Sequence, residues 1–315
     1  MCSSSPGTSS RRSANSWPTT RPAAAGFCCR SSRARHGRPA AGQTLPEGRP
    51  MYNANLITAP ETEITVRTGE TADTARLYSR AGLEMVAALW LKLSAEHRLM
   101  YEHTWLGVPL IQLPADAIVM QELIWRLRPD VVVECGLAHG GSAVLYASIL
   151  ELIGHGFVIG VDREIRAFNR AALRSHPLAH RLRLVEGDST AGETVAEVRA
   201  LAAAAGRVVV VLDSHHGAAH VARELELYHT LVTPSSYLVV MDGAQAHVWD
   251  TPRGRPEWRT DNPLAALEPF LAAHPEFECD PSCTRALVTS SPRGFLRRRA
   301  AGEPVRREGR GERAA

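Results

Sequence analysis

No apolar run among the 315 residues is long enough to cross a bilayer. None near the start matches the apolar core of a secretory signal. Aromatic residues make up only 6% while alanine is abundant, which points to helices packed on a sheet rather than an all-β sandwich. The six cysteines are scattered (Cys2, Cys28, Cys29, Cys135, Cys279 and Cys283). Cys135 sits in an apolar run and reads as a small core residue. Cys279 and Cys283 are spaced for a bridge or half a zinc site. A bridge lacks a secretory context, and a zinc site lacks two further ligands at similar spacing. A reduced, cytoplasmic protein is the expectation. Acids are nearly missing from both ends. Residues 1–50 hold eight arginines against one acid, and 293–315 hold eight against three glutamates, so the tails carry +12 and the body −9 of the net +3. Nucleic-acid binding needs a basic face on the folded body, and this balance argues against one.

The composition of residues 1–50 (Ser, Arg, Pro, Ala) suits a disordered basic extension. It resembles a transit peptide, but the preferred reading is an upstream stretch read from an early start, with Met51 the alternative start and a functional tail the second choice. Residues 51–104 form a helical region, because Leu77, Ala81, Leu83, Val86, Leu89 and Leu93 recur at helical spacing across 71–103. Residues 105–116 read as a structured loop, followed by a helix over 117–127 that ends before Pro129. The main folded domain spans 105–292, and 293–315 is a basic flexible tail. Within the domain, apolar strands at 130–135, 157–162, 181–186, 208–213 and 237–241 alternate with helices at 140–153, 163–175, 192–205 and 220–232. This alternation predicts an α/β fold with a mostly parallel sheet and helices on both faces. A helix at 264–274 and two short strands, 276–280 and 285–289, complete it. No internal repeat is visible.

Ligands of open α/β sheets bind beyond the carboxyl ends of the strands. There the first strand runs through Glu134-Cys-Gly136 to Gly140-Gly141-Ser142, a glycine turn into a helix. A nicotinamide fingerprint needs a second glycine where Ala138 stands. An acid two residues before the first glycine instead fits a cofactor with an amino-acid moiety and no pyrophosphate. The second strand ends at Asp162, suited to ribose hydroxyls, and the third at Asp188-Ser189, placed for an adenine edge. The fourth and fifth end at Asp213 and Asp242, whose oxygens suit a hard cation. His216 lies three residues after Asp213.

Glu134-x-Gly136 with Gly140-Gly141-Ser142, then Asp213-Ser-x-His216, His220-Val221 and Glu224-Leu225-x-x-Tyr228, resembles the cephalosporin hydroxylase family. That family includes rhamnosyl and macrolide-sugar O-methyltransferases and is similar to catechol O-methyltransferase in its core. The likeness runs from about residue 105 to 298, through Trp105-x-Gly107, Gln112-x-Pro114-x-Asp116 and Gln121-Glu122. It implies a Rossmann-like class I methyltransferase with a seven-stranded sheet, S-adenosylmethionine as donor, Mg2+, a homo-oligomer, and a sugar, glycolipid or natural product as acceptor. It places Glu134, Gly136, Gly140 and Ser142 around the methionine moiety, Asp162 on the ribose, and Asp188 and Ser189 near the adenine. Asp213 and Asp242 match metal ligands, and His216, beside Asp213, occupies the general-base position. The family has two adjacent acids at the fifth strand end. Here the first is Met241, and a thioether is a poor magnesium ligand.

Residues 245–262, with His247, Trp249, Arg253, Arg255, Trp258 and Arg259, form a candidate lid. Three other classes stay open. A tailoring oxygenase component would need a two-histidine-one-carboxylate set, and none stands out. A nicotinamide oxidoreductase is disfavoured by Ala138. A non-catalytic scaffold is made conceivable by Met241.

Overall fold

Five consecutive buried residues, Val-Val-Val-Glu-Cys, form the strand β5 (Val131–Cys135) on which the sheet is built. In the computed structural model, which describes residues 58–303, this strand lies centrally in a seven-stranded sheet. The extension over 1–50, with Cys2, Cys28 and Cys29, and the part of the tail beyond 303 lie outside the described residues. Preceding β5 are β1 (Glu63–Thr68), β2 (Thr71–Arg76), α1 (Arg80–Glu96), β3 (His103–Trp105), β4 (Val108–Leu110) and α2 (Pro114–Leu127). After it come α3 (Gly141–Ile153), β6 (Phe157–Asp162), α4 (Ala167–Ser175), β7 (Leu182–Glu186), α5 (Gly192–Ala202), β8 (Val208–Leu212) and α6 (Ala218–Tyr228). The chain closes through β9 (Tyr237–Val240), α7 (Gln245–Val248), α8 (Pro263–Ala273), β10 (Phe277–Cys279) and β11 (Phe295–Arg298).

The strand order is β10-β11-β9-β8-β5-β6-β7. β5 to β9 are parallel, and β11 runs antiparallel to both β9 and β10. Successive strand residues point to opposite faces. Val132, Val209, Val211 and Val239 therefore join a core with Met120, Leu123, Tyr146 and Leu150 of α2 and α3. Val131, Val133, Val210 and Leu212 pack on the other face against Val198, Leu225, Leu267 and Phe270 of α5, α6 and α8. Each fully buried valine or leucine contributes roughly 1.5–3 kcal/mol, so two-sided burial outweighs the poor helix-forming tendency of such runs only as strand. The chain moves to one side of β5 through β6 and β7, then returns to β8 and β9. That reversal opens a crevice at the carboxyl ends of β5 and β8.

Three expectations are corrected. The helix foreseen over 71–103 forms only as α1, because Ser79 caps it by accepting from Gly82 N, and residues 71–76 pair with β1 instead. Its buried face is the small one (Gly82, Ala87, Ser94), while Leu83, Val86, Trp90 and Leu93 face outward. A side chain on Gly82 would come within 2.2 Å of Arg76 O, so this close approach decides which face turns inward. The loop at 105–116 contains the β3–β4 hairpin and the first turn of α2, which begins at Pro114, a favourable first helical residue. Finally, 285–289 is not a strand. The partner of β10 is β11, which lies inside the supposed basic tail. Phe295 and Leu296 are buried there, and Arg293 and Arg297 pair with Glu268 and Glu303. Cys279 and Cys283 are not joined. Among the described residues no helix is long and apolar enough to cross a membrane.

Candidate active site

Where β5 ends, the chain turns on Gly136 at φ +98°. A Cβ there would lie 2.1 Å from Asp213 O, and Asp213 N donates to Cys135 O at 2.7 Å. The ends of β5 and β8 thus touch backbone to backbone, which only glycine permits. Gly140, at φ +88°, starts α3, with its α-carbon against Leu173.

Glu134 is fully buried beside this loop, and burial pushes its carboxyl up to about 8. The Ser142 hydroxyl faces it and partly offsets that effect, yet neither carboxylate oxygen meets a donor at hydrogen-bond geometry. A buried carboxyl without a formed bond costs free energy unless a ligand supplies the partner. Asp162 accepts from three backbone donors. Oδ2 accepts from Leu137 N at 2.9 Å and Ala138 N at 3.1 Å, and Oδ1 from Glu164 N at 3.1 Å. Its first role is to hold the glycine turn. Asp188 Oδ1 accepts from Thr190 N and Oγ1, which holds its carboxyl below the ordinary range. Ser189, buried, lies 3.3 Å from His220 Nε2. Gly136, Asp162, Asp188, Ser189, Asp213 and His220 line one cavity of about 320 Å³.

The motif residues of α6 form a layer beneath that cavity. Ser214 Oγ donates to the fully buried Glu224 at 2.7 Å, and His220 Nε2 lies 3.1 Å from Ser214 Oγ. Glu224 raises the His220 pKa. Tyr228 OH, fully buried, donates to Ser189 O at 2.9 Å. The spacing Glu224-x-x-x-Tyr228 is one helical turn, so both side chains reach the sheet from one face.

Asp213, His216 and Asp242 converge with ligand atoms all within 4.8 Å of one another. His216 Nε2 is 3.3 Å from Asp242 Oδ2. Asp242 adopts φ +58°, an uncommon conformation for a non-glycine residue and one enriched at functional sites. Burial, then the Asp242 carboxylate and then Glu134, push Asp213 well above the usual range. Such a crowd of acids favours a cation. Met241 stands apart. It is buried in the α2–α3 core, and Ser291 Oγ donates to its sulfur at 3.3 Å. Asp116 accepts from Thr289 Oγ1 and from Ser290 N and Oγ and so anchors the 289–291 turn, while Gln112 Nε2 donates to Tyr146 OH of α3.

Beyond His216 and Asp242 opens a second cavity of about 470 Å³. Leu91, Arg98 and Tyr101 line one side, and Arg253, Arg255 and Trp258 the other. The first group was not legible in the sequence, since α1 and the turn after it carry no motif. Of the lid candidates, Arg253, Arg255 and Trp258 face this cavity. His247 and Trp249 lie in a neighbouring groove, and Arg259 stacks over Trp249. The segment is tied to α1 by Asp250 with Lys92 and by Arg253 with Glu96.

The site thus combines a glycine turn over an orphaned acid with three convergent metal-type donors, Asp213 lining the first cavity and His216 and Asp242 the second. Residues 97–299 match the family model described as rhamnosyl O-methyltransferase/CmcI. The chain belongs to that family. The rhamnosyl O-methyltransferase of Mycobacterium leprae (strain TN) is 33% identical over 141 residues, 44% of this chain and 59% of that protein. That of Mycobacterium tuberculosis (strain ATCC 25618 / H37Rv) is also 33% identical over 141 residues, 56% of its length. The match therefore spans less than two thirds of these curated relatives. Among solved structures, "cmcI-D160 Mg-SAM" is 22% identical, with 64% of this chain and 78% of that one covered at a TM-score of 0.48.

Proposed function

We propose that this protein is an S-adenosylmethionine-dependent O-methyltransferase whose acceptor is a sugar hydroxyl. The observation that carries the reading is Glu134. A fully buried carboxyl, raised to about 8 and lacking a formed hydrogen bond, stands beside a turn that must be glycine. The cationic amino group of a methionine moiety supplies the missing partner. The sugar acceptor rests on the relatives' name, and the mixed lining of the second cavity, with Arg253, Arg255 and Trp258 beside apolar Leu91 and Val248, suits stacking on and hydrogen bonding to such a ligand.

S-adenosylmethionine bound beside the turn supplies an electrophilic methyl group on sulfur. The chain's residues bind, align and deprotonate. Glu134 and Ser142 hold the amino-acid end, Asp162 fixes the turn, and Asp188 and Ser189 border the far end of the cavity. Asp213 and Asp242, with His216 beside them, fit a divalent ion, which would acidify an acceptor hydroxyl. His216 takes the hydroxyl proton onto a ring whose Nε2 already faces Asp242 Oδ2. Asp213 lines the first cavity and His216 and Asp242 line the second, so an acceptor in the second would approach the donor in a fixed line, and such positioning can supply several kcal/mol.

Calorimetric titration of the full chain with S-adenosylmethionine should show binding in the ~1 μM to 1 mM range. Labelled methyl should pass to a hydroxyl in a panel of free and glycosidic deoxysugars. Absence of binding in wild type removes the reading. Binding with transfer only to non-sugar hydroxyls keeps the reaction and removes the acceptor class.

A further inference from the structure

At the carboxyl ends of α6 and α8, Glu226, His229 and His274 bring their ligand atoms within 4.8 Å of one another. α6 begins just after the carboxyl end of β8 and runs back along the sheet, so its last turn lies far from Asp213. The spacing Glu226-x-x-His229 places both on one helical face. His274 caps the end of α8, forty-five residues later in the chain, which is why no two-histidine-one-carboxylate set stands out in the sequence.

We propose that these three side chains form a second metal site, for a borderline divalent ion such as Zn2+, which staples the end of α6 to the end of α8. The first support is ligand spacing. His274 Nε2 and Glu226 Oε1 are 3.2 Å apart, close to the about 3.3 Å that two ligands at ~2.0–2.1 Å make around a tetrahedral ion. The second is orientation of the rings. His229 Nδ1 donates to Leu225 O at 3.0 Å, and His274 Nδ1 faces Glu276 Oε1 at 3.5 Å. Metal-binding histidines are anchored in this way through the other nitrogen, to a carbonyl or a carboxylate, leaving Nε2 for the ion. The third is the surroundings. Two helix carboxyl ends meet here, each favouring positive charge, and Phe270 and Phe277 wall the rings with centroids 4.4 Å from His274 and 6.4 Å from His229. The half-exposed Glu226 leaves the outer side open to a water as fourth ligand.

The metal-free full chain is titrated with Zn2+ against a chromophoric chelator. One equivalent is taken up that His229→Ala and His274→Ala each lose, while Asp213→Asn keeps it. Glu276→Gln, which touches only the anchored nitrogen, weakens that equivalent by ~10–100-fold. Zinc at a hundred times its Kd raises Tm by roughly 5–10 °C in wild type and in Asp213→Asn. Zinc also shields His229 and His274 from diethylpyrocarbonate in the unmutated chain, which keeps the test open if a variant fails to fold. Unchanged zinc stoichiometry in both histidine variants, or no shielding of either ring, overturns the site.

Discussion

His216 Nε2 lies 3.3 Å from Asp242 Oδ2 at the lining of the second cavity, while the neighbouring His215, beside the first, accepts at Nδ1 from Gly217 N. The two adjacent histidines therefore face different tasks. His216→Ala should lower kcat by ~10²–10⁴-fold with little change in cofactor affinity, and His215→Ala should cost far less. Single-turnover methyl transfer measures both. A loss of divalent-metal affinity in His216→Ala, equal to that in Asp213→Asn, would make His216 a ligand and move the base elsewhere.

Glu134 links stability to the ligand. Its folded pKa of about 8 stands above the ordinary 4.5, so the folded chain binds the extra proton between those values. The stability this gives is full below pH 4.5 and is lost as pH rises through 8, at about 1.4 kcal/mol per unit. Asp213 and Asp116, also raised, act in the same direction. Without ligand, Tm should fall from pH 5 to pH 8, and Glu134→Gln should flatten that slope and raise Tm at pH 8. The same variant should lose cofactor binding, and wild type at pH 7 should release a proton on binding. A slope unchanged by the substitution would show that Glu134 is not the buried acid responsible.

Met241→Glu tests where the metal donors lie. The sequence alone suggests that an acid here would complete a magnesium site, but the side chain is 1% exposed and packed beside Ser291, with Asp116 nearby. The new carboxylate would enter the core without a partner, and several kcal/mol of destabilisation are expected. Thermal melts and magnesium titration read this out. Tighter magnesium binding at unchanged Tm would place position 241 in the metal shell.

Gly136→Ala carries two penalties, a left-handed backbone and a Cβ 2.1 Å from Asp213 O. Strain of that kind costs ~1–3 kcal/mol before the collision is added. The expected variant is less stable and weak in both cofactor and metal binding, because moving one strand end displaces the other. Retention of full metal affinity with lost cofactor binding would show the two ends to be independent.

How much of this was legible depended on whether the signal was linear. β5, β8 and β9 announce themselves because both faces are buried and nearly every residue is apolar, the edge strand β7 less so since Arg183 and Glu186 are exposed, and the strand-end acids follow. His216 is readable since a three-residue offset from Asp213 keeps it at the same mouth. β11 was hidden because only Phe295 and Leu296 among Gly-Phe-Leu-Arg-Arg-Arg are apolar, and the arginines gain partners only once Glu268, Glu278 and Glu303 are folded near them. The acceptor wall from α1 was hidden likewise. Leu83, Val86 and Leu93 give the periodicity, but Gly82 sets the orientation through a contact with Arg76 that no pattern encodes.

The position of β11 also governs how the protein is made. β10 leaves the ribosome before it, yet β11 lies between β9 and β10. Until residues 295–298 emerge, β9 presents an unpaired edge beside β8, and Phe277 to Cys279 have no neighbour to pair with. An open, apolar strand edge is a template for pairing with other nascent chains. Folding of this sheet is thus sealed by four of the last residues of the domain to be synthesised, and a pause in translation just before Phe295 would prolong the interval in which the nascent chain is most prone to aggregate.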